Sequence, residues 1–386
     1  MSSVHDECVC SQFLARLSFV IAAMKTPAVI VWIGQYAMVG CLLYIRMLQM
    51  LLTTLVHLQF NLCNISSYVE NLNSTIQELL FCSYRNIAIY SSHIYRLAPE
   101  TFERCDNLKT LSFIQNFLKF DEIVDVVTAL DSLKGLVIKA NKFKDSPVNF
   151  RNLFCNQLGS LKIFVYEYER LVDIGIKTFH YLPNLTTLGL SHNRIVQLRP
   201  ENFANLINLQ VLNISHNRIH LILENTFISL KKLRHLNMAV NNVRKIDSDT
   251  FYGLENLKYI NLKMNHIEQI HNQVLESLPN LLHLIISSNR QIAINFRETK
   301  NNSTLRIINL EANSISSMTS ETFYGMQNLK FIKMANNRLT VIQSGAFQNL
   351  SNLQKIYLNR NFIVKLEDNA FSNLPSLKIL LVFLKN

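Results

Sequence analysis

From residue 185 onward, apolar and polar positions recur with a period of 24. Residues 185–208 read LTTLGLSHNRIVQLRPENFANLIN and residues 209–232 read LQVLNISHNRIHLILENTFISLKK, both fitting LxxLxLxxNxIxxLxxxxFxxLxx. In the opening LxxLxL, the leucines at positions 4 and 6 alternate with polar residues, the period of a strand with one buried face. One short strand per repeat therefore stacks on its neighbours as a parallel sheet. Asn193, Asn217, Asn241, Asn265, Asn289, Asn313, Asn337 and Asn361 follow one another at intervals of 24. A buried amide at that turn both accepts from and donates to the backbone of adjacent repeats, satisfying groups that no helix or sheet covers. A second ladder, Phe179, Phe203, Phe227, Phe251, Phe323, Phe347 and Phe371, is interrupted at Leu275 and Thr299. Its rings fill the wide side opposite the strands.

Less regular repeats begin at Tyr84, Leu108, Leu133 and Leu161, with lengths of 24, 25, 28 and 24; in the first of them Ser92 replaces the asparagine. Repeats then run from 84 to 376, and residues 377–386 start another. The pattern resembles the 24-residue class of the leucine-rich-repeat family. The stretches RNIAIYSSHIYRLAPETF (85–102) and LSHNRI (190–195) are similar to insect leucine-rich-repeat immune proteins, Toll-like receptor ectodomains and chaoptin-type adhesion proteins. The resemblance implies an α/β-type repeat fold: a curved solenoid with a parallel sheet on its concave face and mostly loops and short helical turns on its convex face. It also implies a secreted or cell-surface protein that binds ligands or other leucine-rich-repeat chains and is not an enzyme. Innate immunity is the leading setting. Cell adhesion, a matrix scaffold or a receptor ectodomain are the alternatives.

Upstream of the repeats, Pro27–Ile45 is uncharged and apolar, with Arg16 and Lys25 before it, and a second apolar run spans Met47–Leu58. As a helix, the first run reaches about 28 Å at ~1.5 Å per residue, roughly a hydrocarbon core. Residues 1–58 are therefore expected to be a leader, either a cleaved signal or an uncleaved anchor, and residues 59–83 an N-terminal cap. Cys63 and Cys82 are placed to close that cap with a disulfide. Cys105, at a position where leucine is usual, reads as a small buried hydrophobe, with Cys155 as an open alternative partner. Sequons at Asn64, Asn73, Asn184, Asn213, Asn301, Asn302 and Asn349 fit passage through the secretory route. No capping module follows the last strand, LKILLVFLKN, so truncation is the favoured expectation.

Charge adds a candidate site. The chain carries a net +11, and positions 2, 3, 5, 7 and 8 of the repeats are expected to face the concave side. In the twelve repeats these positions hold thirteen lysines and arginines against two acids, Glu167 and Glu311, an excess equal to the whole net charge. Arg85, Lys109, Lys134, Lys139 and Lys162 belong to the early repeats. The later repeats supply the candidate ligand-binding set: Arg234, Lys258, Tyr259, Lys263, Arg306, Lys330, Phe331, Lys333, Lys355, Tyr357 and Arg360. Cations interleaved with aromatic rings suit a protein ligand, an anionic glycan or a microbial surface, with nucleic acid ranked below these. Membrane contact is expected only through the leader or a missing C-terminal segment. A glycan on Asn213, at position 5, would direct ligand toward residues 258–360. His192 and His216 share one position in adjacent repeats, where a pH sensor is the lesser reading. No catalytic constellation, no cofactor site and no Cys/His metal spacing is present in the sequence.

Overall fold

The computed structural model describes residues 28–32, 57–61, 85–90, 97, 102, 105–128, 130–141, 158–291 and 304–385. The chain forms two compact units, Met1–Glu169 and Arg170–Asn386. Each is built on a parallel sheet with one strand per repeat and little helix, a leucine-rich-repeat type of solenoid.

In the first unit the strands are Ala28–Trp32, His57–Asn61, Asn86–Tyr90, Thr110–Ile114, Gly135–Lys139 and Ile163–Glu167. Register places Ile87, Leu111, Leu136 and Phe164 in one row and Ile89, Phe113, Ile138 and Tyr166 in the next, all of them buried. Two of these strands lie in segments that the sequence assigns to leader and cap. Ala28–Trp32 pairs in parallel with His57–Asn61, which pairs in turn with Asn86–Tyr90. An apolar run such as Ala-Val-Ile-Val-Trp suits a buried strand as well as a helix, and periodicity alone cannot separate the two. The amphipathic helix Phe120–Thr128 occupies the return of one early repeat. It opens on Asp121 and Glu122, which favour a helix N-terminus, and buries Phe120, Ile123, Val124, Val126 and Val127.

In the second unit the strands shorten to three residues, and the middle residue is buried in each of them except the last, Ile379–Leu381. Leu188, Leu212, Leu236, Ile260, Leu284, Ile308, Ile332 and Ile356 are register partners from strand to strand, each at most 3% exposed. On the opposite side, the phenylalanines stack at 5.9 Å (Phe203–Phe227), 6.2 Å (Phe227–Phe251), 6.0 Å (Phe323–Phe347) and 5.3 Å (Phe347–Phe371). Where the ladder breaks, Leu275 closes a 3-10 turn at Asn272–Leu275. Two-residue parallel strands, such as Gln197–Leu198 with Leu221–Ile222, tie the returns together.

Asparagine does three separate jobs in this unit. At position 9, Asn217 Oδ1 accepts the Ile195 N–H at 3.0 Å, and its Nδ2 donates to the Leu190 and Ile214 carbonyls at 3.0 Å each. The same bonds recur at Asn241, Asn265, Asn289, Asn313, Asn337 and Asn361. At position 24, Asn208, Asn256, Asn280 and Asn352 donate to carbonyls of the preceding repeat at 2.8–3.0 Å, on the exposed side. At position 5, Asn213, Asn237, Asn261 and Asn309 accept the N–H two residues on, at 3.0–3.2 Å, and so end each strand. In the first unit the buried ladder runs through Asn116 and Asn141 to Glu169, whose carboxylate accepts from the Asn141 backbone and side chain at 2.7 and 3.0 Å.

The residue before each ladder asparagine has a left-handed backbone. His192, His216, Val240, Met264, Ser288, Ala312, Asn336 and Arg360 have φ between 53° and 58°. This conformation costs L-residues about 1–2 kcal/mol, and a β-branched side chain is the worst suited to it. Val240→Asn is therefore expected to stabilise the fold by about 1 kcal/mol, read as a higher urea midpoint with an unchanged slope. An unchanged or lower midpoint would count against strain at that turn.

Cys105 is buried, as its sequence position suggests, but its sulfur is disulfide-bonded and not a free hydrophobe. Cys63, Cys82 and Cys155 lie outside the described residues. No helix among the described residues is long and apolar enough to cross a membrane.

Candidate functional site

Positions 3 and 5 flank the buried position 4, so their side chains stand on the open side of the sheet. In register, position 3 contributes His235, Tyr259, His283, Ile307, Phe331 and Lys355. Position 2, just before each strand, contributes Arg234, Lys258, Arg306 and Lys330, with Leu282 interrupting the row. The Lys258 N–H bonds to the Arg234 carbonyl at 2.9 Å and the Lys330 N–H to the Arg306 carbonyl at 2.8 Å. Each pair of cations thus sits on adjacent turns, roughly 4.8 Å apart at the backbone, where like charges repel. Among the described residues no carboxylate pairs with any of the four. Ion pairs do form elsewhere: Lys245–Asp247 at 2.6 Å and Lys365–Glu367 at 3.7 Å, both off this face.

Two lysines are held by rings. Phe331 and Lys355 are register partners, and the Lys355 ammonium lies 5.4 Å from the Phe331 centroid. Lys333 and Tyr357 are partners two residues further on, with the Lys333 ammonium 6.0 Å from the Tyr357 centroid. The four side chains form a checkerboard on the Phe331–Lys333 and Lys355–Tyr357 strands. Nearer the middle of the unit, the Tyr259 ring sits 6.0 Å from both His235 and His283, tilted to the first and edge-on to the second. Burial raises the Tyr259 hydroxyl pKa above its usual value. Burial, and then the positive charges of Arg306 and His235, lower that of His283. His283 is thus a neutral imidazole at neutral pH, and the centre of the face is already partly dry.

Lys263 and Arg360 stand on the turns after the strands, at positions 7 and 8. Position 7 behaves differently from its expected exposure. Ser191, Ser215, Ala239, Ser287 and Ala335 are all buried there, and Lys263 is the exposed exception. Small residues occur because the chain bends back under the sheet at that point, and a long cation is tolerated only by reaching outward. In the first unit, Lys139 is bridged to Glu167 at 2.8 Å, which removes that pair from any free positive field. His192 and His216 stack with centroids 4.0 Å apart and planes at 12°. Of the sequons, Asn184 and Asn349 are exposed, and the Asn213 Oδ1 is engaged by the Ser215 N–H and hydroxyl at 3.2 and 2.8 Å. Asn64, Asn73, Asn301 and Asn302 lie outside the described residues.

Reading the sequence for charge missed the neutral part of this face. His235, His283 and the position-5 asparagines carry no formal charge, yet they complete the rows around Tyr259. The signal was present, since Asn213, Asn237, Asn261 and Asn309 share one phase of the 24-residue period. Among the described residues no cluster of three or more His, Cys, Asp or Glu side chains is placed to hold a metal ion.

A parallel-sheet solenoid with a buried asparagine ladder and an open strand face defines a repeat protein. Leucine-rich-repeat profiles match residues 183–243, 238–290, 303–361 and 332–383, and a BspA-type leucine-rich-repeat region matches 18–124. The chain belongs to the leucine-rich-repeat family. Comparison with curated protein sequences finds no match. Among solved structures, a leucine-rich-repeat protein of Leptospira interrogans is 23% identical with a TM-score of 0.65, over 86% of this chain and 91% of that one. An internalin of Listeria monocytogenes is 18% identical with a TM-score of 0.59, over 80% and 88%. Drosophila Toll, in its glycosylated complex with Spatzle, is 17% identical with a TM-score of 0.70, over 91% of this chain and 49% of Toll. At these identities the likeness concerns the fold.

Proposed function

We propose that this chain is an extracellular recognition protein that binds an anionic ligand on the concave face of its solenoid, in an innate-immune setting. The observation that carries the reading is the row of position-2 cations, Arg234, Lys258, Arg306 and Lys330, which have no carboxylate partner among the described residues and stand beside the half-buried rings of Tyr259 and His283. Unneutralised like charges on adjacent strands are a cost that a bound anion removes. The buried disulfide at Cys105 supports an oxidising compartment, since such bonds persist mainly outside the cytosol. Toll, which shares this fold, is known in complex with a protein ligand, Spatzle, and that comparison supports recognition as the role. An open face of short parallel strands favours binding over chemistry, which calls for an enclosing cleft.

The test is binding of the secreted chain to immobilised heparin, used as a generic polyanion, across a salt series. Affinity is expected to fall steeply and linearly on a log–log plot against salt, as counterions are displaced by several lysines and arginines. Weak binding, or binding indifferent to salt, would reject an anion site and turn the search to uncharged protein partners or adhesion.

A further inference from the structure

The reading above says that the ligand is an anion and not which one. The hydrogen-bonding polarity of the face narrows the choice. Along the strands from His235–Asn237 to Phe331–Lys333, position 2 offers four cationic donors and one leucine, Leu282, and position 3 offers rings and one isoleucine. At position 5, the Oδ1 atoms of Asn237, Asn261 and Asn309 are already taken by the backbone N–H groups of Ala239, Lys263 and Glu311, at 3.2, 3.1 and 3.0 Å. Among the described residues their Nδ2 groups meet no acceptor. What these asparagines have most of to give is therefore N–H, two per amide against one remaining Oδ1 lone pair. Glu311, the carboxylate of this stretch, stands at position 7, beyond the asparagine row. Apart from hydroxyl and imidazole groups, the three rows are mainly cation, ring and amide, interrupted by Leu282 and Ile285, and donors outnumber the remaining acceptor sites.

Such a face discriminates among polyanions. An extended peptide alternates backbone N–H and C=O, so its N–H groups would outnumber the acceptor sites here and part of them would lose their water without a partner. Nucleobases likewise carry donors and acceptors on one edge. A sulfated polysaccharide differs: its sulfate and carboxylate oxygens only accept, and the C–H faces of its pyranose rings are flat and apolar. The five strands from His235 to Phe331 span about 19 Å between the outermost backbones, at ~4.8 Å per strand. That is long enough for a short run of sugars. We infer that this face takes a linear sulfated polysaccharide, with sulfates along the Arg234–Lys330 row and pyranose faces along the His235–Phe331 row. The inference rests on the anion-binding reading of the same face.

The experiment compares ligands of matched charge on the full secreted chain: a size-defined heparin oligosaccharide, polyglutamate and oligo-dT. The heparin oligosaccharide is expected to bind at least about tenfold more tightly than the other two, an extra donor–anion bond being worth roughly that factor. In the Asn237→Asp/Asn261→Asp double variant, Oδ1 still accepts from the backbone but the donors become acceptors. Heparin affinity should then fall about a hundredfold, roughly tenfold per lost donor, with an unchanged circular dichroism spectrum and melting temperature. Equal binding of polyglutamate or oligo-dT would overturn the polysaccharide assignment and leave the anion site standing. Binding of none of the three would overturn the anion site itself. A double variant that stays folded and binds heparin as the parent does would remove the asparagine row from the ligand contact and overturn the argument from donors.

Discussion

Replacing Asn265 by alanine is expected to destabilise the chain by about 2–3 kcal/mol, well above the loss at an exposed asparagine of the same chemistry. Asn265 is buried, accepts from the Val243 N–H at 3.1 Å, and donates to the Met238 and Leu262 carbonyls at 3.0 Å each. Alanine leaves the Val243 N–H buried without a partner, at about 1–3 kcal/mol, while the Met238 and Leu262 carbonyls each lose one of two donors and keep the other, from Asn241 and Asn289 at 3.0 Å. Asn280 is the control. It makes a bond of the same chemistry to the Glu255 carbonyl at 2.8 Å, but on an exposed surface where water replaces it. Asn280→Ala should cost no more than about 1 kcal/mol. Urea unfolding of the two variants, compared at equal slope, decides the matter. Similar losses would mean that the ladder is a by-product of the period and not a source of stability.

Reversing four charges on the sheet face, with Lys258, Lys263, Lys330 and Lys333 each changed to glutamate, is expected to weaken polyanion binding by on the order of a thousandfold. Placing like charges against a ligand costs several kcal/mol, and each 1.4 kcal/mol is a factor of ten. Folding should be little affected, because none of these ammonium groups pairs with a carboxylate among the described residues; Lys333 gives up its contact with the Tyr357 ring. Lys245→Glu with Lys365→Glu supplies the comparison. Both lysines are exposed and lie off the strand face beside Asp247 and Glu367, so net charge changes while the face does not. If the off-face pair weakens binding as much, per charge, as the on-face set, the ligand responds to net charge alone. If the on-face set leaves affinity intact, the concave-face site is wrong.

These two expectations draw on different layers of information. The buried ladder was legible in the sequence because burial, turn and amide chemistry coincide at one position every 24 residues. The binding face was legible only as charge. Its cations stood out, while the neutral donors at Asn237, Asn261 and Asn309 did not, because an asparagine letter does not say which end of its amide the backbone has taken. The same ambiguity hid the second ladder. Asn208, Asn256, Asn280 and Asn352 recur at position 24, with Lys232 and Thr304 between them, and whether such an exposed amide reaches a carbonyl 25 residues earlier depends on how closely the repeats stack.

By itself the sequence determined the repeat, its strand, the inward leucines, the phenylalanine spine and the parallel order of the sheet. All of these follow from local periodicity and from the need of each repeat to cover its neighbour. Only the tertiary structure decided what depends on contacts across the period. It set Ala28–Trp32 and His57–Asn61 as strands, since a short apolar run becomes a strand only beside a partner edge. It turned the small residues of position 7 inward, cross-linked Cys105, and paired Lys139 with Glu167 while giving Lys258 no carboxylate partner among the described residues. The physical reason is common to these cases: a side chain's partner lies one whole repeat away, and only stacking fixes which atoms meet.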